Sequence, residues 1–133
     1  MTLQAGDYQG ETILVVDDDP SVVTMCEHAL KFRGYRVLDA HGAEDALRRS
    51  EGAAIHVALI DVMMPGTNGI ELARILSQQH PDTKVIFMSG FSPTEISRLV
   101  GDCRHFGFIW KPFRLESLFH MVENVLSRPQ SPA

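Results

Sequence analysis

A parallel β-sheet with helices wound on both of its faces is the fold class this chain of 133 residues predicts. Three observations carry it. Short β-type runs alternate five times with segments of helical period. The first, third and fourth runs are continuously apolar, as strands covered on both faces must be. Four of the five runs end in a chemically useful side chain, and in an open parallel sheet such ends face one crevice.

The elements follow in order. Residues 1–11 are polar and Gly-containing and read as a loose lead-in; residues 12–127 read as one folded unit; residues 128–133 read as a frayed tail or a cut linker. The first strand spans Thr12–Asp17. Asp19 as N-cap and Pro20 at the first position then open a helix, with Val22, Val23, Cys26, Ala29 and Leu30 as its inward stripe and Gly34 as its stop. Arg36–Ala40 is the second strand and Ala43–Ser50 the second helix. Val57–Asp61 is the third strand, followed by a helix from about Asn68 that buries Leu72, Ala73, Ile75 and Leu76. Lys84–Ser89 is the fourth strand, and Ser92-Pro93-Thr94-Glu95 reads as a capping box on a short fourth helix. Phe106–Trp110 is the fifth strand. The last helix keeps Leu115, Leu118, Phe119, Val122, Val125 and Leu126 at helical spacing.

Composition narrows the function classes. The formal net charge is −5 and the chain has no basic cluster, which argues against direct nucleic-acid binding. Cys26 and Cys103 lie far apart and suit a reducing cytosol better than a disulfide framework. The first residues lack the pattern of a secretory leader and no apolar run reaches membrane-spanning length, so a cytoplasmic protein with no membrane contact is expected. The six histidines show no metal-ligand spacing.

The strand ends carry the chemistry. Asp17 and Asp18 close one apolar run and Asp61 closes another. Carboxylates brought together at adjacent strand ends repel unless a cation sits among them, and a hard ion such as Mg²⁺ needs only a few protein oxygens. Ser89, followed by Gly90, ends the fourth strand, and Lys111, followed by Pro112, ends the fifth. An acidic cluster, a hydroxyl and an ammonium at one edge suit phosphoryl chemistry: cations neutralise phosphoryl oxygens, the hydroxyl donates a hydrogen bond and a carboxylate can be the nucleophile.

At these residues the chain resembles the receiver domain of bacterial two-component response regulators. The resemblance covers about residues 12–127. It rests on Ile13-Leu14-Val15-Val16-Asp17-Asp18, on Asp61 followed by Met64-Pro65-Gly66 and Asn68-Gly69, on Met88-Ser89-Gly90 and on Lys111-Pro112-Phe113. It implies a flavodoxin-like (βα)5 fold, doubly wound, with strand order 2-1-3-4-5. It also implies that Asp61 accepts a phosphoryl group from a histidine kinase or histidine phosphotransfer protein. Asp18, Asp61 and the backbone carbonyl of Met63 would bind Mg²⁺ directly, and Asp17 through a water. Ser89 and Lys111 would contact the phosphoryl group. Phe108 stands where the family often has an aromatic switch residue, although a strand Phe can equally be core. The face of the fourth helix, fifth strand and fifth helix would carry the signal, with a homodimer through it as one outcome. Arg114 departs from the family's usual helix cap.

Two other classes compete. A haloacid dehalogenase-type phosphatase also uses Asp-x-Asp after a strand, which Asp17-Asp18-Asp19 superficially fits, but it needs an acidic pair beyond its lysine and gives no reason for Asp61. After Lys111 the only acids are Glu116 and Glu123, both within the last helix. A pseudo-receiver that never takes phosphate is weakened by the full set of site residues. The expected protein is a phosphorylation switch and not an enzyme, with at most self-phosphorylation from small phosphodonors and self-dephosphorylation. Its output lies in a separate or missing domain, and the wording around Trp110-Lys111-Pro112-Phe113 resembles receivers attached to hybrid sensor kinases.

Overall fold

In the computed structural model, residues 10–64, 66 and 68–129 are described. The lead-in up to residue 9, Pro65 of the Met-Pro-Gly motif and the tail from residue 130 lie outside the described residues. The order is β1 (Thr12–Val16), α1 (Pro20–Phe32), β2 (Arg36–Ala40), α2 (Ala43–Ser50), β3 (Val57–Asp61), α3 (Gly69–Gln79), β4 (Lys84–Ser89), α4 (Pro93–Val100), β5 (Gly107–Trp110) and α5 (Leu115–Ser127). All pairings are parallel and the strand order is β2-β1-β3-β4-β5, the flavodoxin-like order. The register sets Val16 opposite Ile60, Asp61 opposite Met88 and Ser89 opposite Trp110, so four strands end along one edge.

Strand periodicity divides the core in two. Leu14, Val16, Ala58, Ile60, Val85 and Phe87 point to one face and pack with residues of α2, α3 and α4. Ile13, Val15, Val57, Leu59, Ile86 and Met88 point to the other and pack with residues of α1 and α5. Every residue of β3 and β4 is buried, which is why these runs carry no outward polar alternation.

Element bounds agree with the sequence to within a residue, and local chemistry accounts for the ends. Asp19 caps α1 by accepting from the Ser21 N–H at 3.0 Å, with Pro20 next, and Gly34 at φ 94° turns the chain out of it. Asn68 caps α3 by accepting from the Glu71 N–H at 2.8 Å. Ser92 caps α4, but Glu95 returns its side chain to the Ser92 hydroxyl, 3.0 Å away, and not to the backbone of a full capping box. Arg114 gives α5 no side-chain cap, as its residue type implied.

Three expectations need correction. Phe106 precedes β5 and does not start it, although its N–H still reaches the Val85 carbonyl at 2.7 Å. Leu115 is 41% exposed, because it opens α5 at the crevice end, where the inward stripe outruns the sheet. Ile75 is only half-buried. Lys84 stands at the start of a strand. It is buried, and its ammonium binds the carbonyls of Val125, at 3.1 Å, and Arg128, where the end of a helix favours a cation. Arg128 in turn donates to the Phe106 carbonyl at 2.7 Å, so the end of α5 is fixed to β4 and to the residue before β5. Among the described residues no helix is long and apolar enough to cross a membrane.

Candidate functional site

The acidic crevice follows from the strand ends. Asp17, just beyond β1, has no exposed surface. One of its carboxylate oxygens accepts from the Asp19 N–H at 3.0 Å, and the other from Lys111 Nζ at 2.5 Å. Asp61 closes β3 and is 6% exposed. It accepts from the Met63 N–H at 3.2 Å and from Lys111 Nζ at 3.2 Å. Asp18 is exposed beside them. Oxygens of Asp17, Asp18 and Asp61 lie within 4.8 Å of one another, so the carboxylates expected to meet do meet.

Lys111 is placed by the end of β5. Its N–H donates to the Ser89 carbonyl at 2.7 Å, and the following Lys111–Pro112 bond is cis. Its ammonium bridges Asp17 and Asp61. Burial disfavours the charged ammonium, but the hydrogen bond to Asp17 and the charges of Asp61 and Asp17 outweigh it and raise its pKa. Burial and, next, the negative charge of Asp17 push the Asp61 carboxyl up to about 6, against the attraction of Lys111.

Ser89 is buried at the end of β4. Its hydroxyl oxygen accepts from the Phe91 N–H at 2.9 Å, a contact that does not use the hydroxyl proton. Met63 and Phe91, each two residues past a site residue, are 43% and 47% exposed. Phe108 lies on β5. Its ring is parallel to Trp110 at 5.3 Å and meets Phe87 at 5.6 Å and His105 edge-on at 4.7 Å. The sequence singled out Phe108 but not this row, because His105 and Trp110 come from a loop and a strand end whose facing depends on the local register.

The donor set suits a hard cation: three carboxylates are gathered, and among the described residues no histidine or cysteine joins them. A negatively charged group with several oxygens would find an ammonium and a serine hydroxyl on neighbouring strand ends.

Comparison with known proteins agrees with this geometry. The family model for the response regulator receiver domain matches residues 13–123. The sensor kinase CckA of Brucella abortus is 36% identical over 128 aligned positions, covering 94% of this chain and 14% of that protein. The response regulator receiver protein CpdR of the same organism is 31% identical over 86% of this chain and 95% of its own length. The chain thus spans a small part of one relative and nearly all of another. A solved CheY-like receiver domain from Methanospirillum hungatei superposes with a TM-score of 0.81 at 28% identity, covering 87% of this chain and 93% of that one.

Proposed function

This chain belongs to the response regulator receiver domain family and has a phosphoacceptor role in two-component signalling; we propose that Asp61 is the residue that takes the phosphoryl group. The observation that carries this is the position of Asp61. It is buried, at the centre of the strand-end edge, and within reach of both the lysine and the other two carboxylates. An Asp61 oxygen attacks the phosphorus of a phosphohistidine on a histidine kinase or histidine phosphotransfer protein. The P–O bond forms as the P–N bond breaks, and the imidazole leaves as the neutral base after taking up a proton. With its pKa near 6, Asp61 is mostly ionised at neutral pH, as a nucleophile must be.

Mg²⁺ is the cation we assign to the crevice: Asp18, Asp61 and the Met63 carbonyl would hold it, and Asp17 would act through a water. When bound it neutralises charge on the phosphoryl oxygens. Lys111 already touches Asp61 and is the group that follows charge onto the phosphoryl oxygens. Ser89 has a hydroxyl proton to donate to them. Phe108 changes rotamer as the end of β4 responds, and the face of α4, β5 and α5 carries the signal, with self-association of that face as one outcome. The folded unit is residues 12–127 and works in the cytoplasm. The protein is a switch whose own chemistry is limited to taking phosphate from small donors and losing it again. The strand order and the family both weigh against the haloacid dehalogenase-type reading.

Acetyl phosphate with Mg²⁺ is expected to add one phosphoryl group by intact mass, and to add none when Mg²⁺ is chelated or in Asp61→Asn. Equal labelling of the variant would remove Asp61 from this role.

A further inference from the structure

We infer that Gly69 is a positioning residue for Asp61, the contact that sets the height of the phosphoacceptor against the other carboxylates. The inference rests on the reading of Asp61 given above. A β-carbon built on Gly69 would stand 2.0 Å from the backbone oxygen of Asp61 and 2.8 Å from Cγ2 of Ile60. The nearer atom belongs to the backbone of a strand buried throughout, so no rotamer change relieves the clash. Gly107 makes the contrast. There a β-carbon would meet Sδ of Met121 at 2.7 Å, the end of a flexible side chain that can swing away. What Gly69 supplies is space and not an unusual dihedral, since it is the first residue of α3.

Three further bonds make this contact a clamp. The Gly69 N–H donates to the Val62 carbonyl at 2.8 Å. Asn68 caps α3 immediately before it. At the other end of the loop, the Met63 N–H bonds the Asp61 carboxylate. The helix therefore begins against the peptide of the phosphoacceptor itself, and the loop that carries the Met63 carbonyl is closed between them. Asp17 and Asp18 follow β1 and do not share this clamp. A side chain at position 69 must lift α3 or push the end of β3. Either movement shifts Asp61 and Met63 relative to Asp17 and Asp18, and a displacement of about 1 Å at a reacting group can cost on the order of a hundredfold.

Gly69→Ala should be compared with two controls. Gly42→Ala makes the same chemical change where a β-carbon meets nothing within 4 Å. Val100→Ala removes buried volume from the core on the α3 side. The measurements are the thermal midpoint, Mg²⁺ affinity by amide NMR titration, and the rate of labelling by acetyl phosphate, all at a temperature where each protein is folded. Gly69→Ala is expected to lose about tenfold or more in both Mg²⁺ affinity and labelling rate. Val100→Ala should stay within about twofold of the parent despite an equal or lower midpoint, and so should Gly42→Ala. Asn68→Ala, which loosens the start of α3 without a clash, should lose several-fold in both measurements, and it carries the test if Gly69→Ala does not fold. The inference is overturned if Gly69→Ala, or failing that Asn68→Ala, matches the parent, or if Val100→Ala loses as much. A parent that takes no phosphate sinks the reading of Asp61 and this inference with it; a labelled parent with an unaffected Gly69→Ala sinks this inference alone.

Discussion

Lys111 stands between two carboxylates that would otherwise repel, 2.5 Å from Asp17 and 3.2 Å from Asp61. One cation does not neutralise the cluster, and the remaining strain shows in Asp61, whose carboxyl is held near 6 by burial and by Asp17. The sign of its effect on stability follows. Between pH of about 4 and about 6 the folded protein holds a proton on Asp61 that the unfolded chain has lost, so this group makes the metal-free protein less stable as pH rises through that window. Above it the full penalty remains. Asp61→Asn removes the charge and keeps the shape. In urea unfolding at pH 7 without Mg²⁺, the variant is expected to be more stable by on the order of 1–3 kcal/mol. The gap should close below pH 4 and narrow when Mg²⁺ stabilises only the parent. A variant less stable than the parent at neutral pH would show that Asp61 is not under this repulsion. Asp17, Asp18, Asp61, Ser89 and Lys111 were legible as a set because each closes or directly follows a strand. The close approach at Gly69 was not, because the sequence shows a glycine after an N-cap but not the carbonyl that lies against it.

At the scale of elements, β4, its following loop and β5 connect the site to a distant face. The Phe91 N–H is tied to the Ser89 hydroxyl oxygen, and the Lys111 N–H to the Ser89 carbonyl. If Ser89 turns towards a phosphoryl group, the bond it would give up is the one to the Phe91 N–H, next to the cap of α4. Phe108 and Trp110 stack on the next strand, so a rotamer change at Phe108 must also break that stack. A beryllofluoride complex, standing in for the acyl phosphate, is therefore expected to shift amide NMR signals across residues 89–115. Shifts confined to the loops after β1 and β3 would contradict a switch on this face. Most element bounds were readable from caps and apolar period: Asp19 with Pro20, Asn68 and Ser92 each stand where their helix starts. The misses lie where a pattern runs past its support. Leu115 continues the α5 stripe beyond the sheet. Lys84 hides a charge inside a strand because α5 offers it carbonyls, a tertiary contact with no local signal.

At the scale of the whole molecule, the parallel order β2-β1-β3-β4-β5 turns sequence-distant residues into one site. β1 and β3 pair at the centre of the sheet, which brings Asp17 and Asp18 to Asp61. β3, β4 and β5 then lie side by side, which carries Ser89 and Lys111 to the same edge. The alternation of strands and helices made the doubly wound class readable, while the order itself came through the resemblance of the strand-end motifs. The central claim is that, of the three carboxylates gathered there, Asp61 alone takes phosphate. Borohydride tests it most directly, because it reduces an aspartyl phosphate to homoserine and leaves free aspartate untouched. After phosphorylation with Mg²⁺ and acetyl phosphate, reduction and peptide mass mapping, homoserine is expected at position 61, with Asp17 and Asp18 unchanged. Homoserine at position 17 or 18, or at none of the three, would contradict the account.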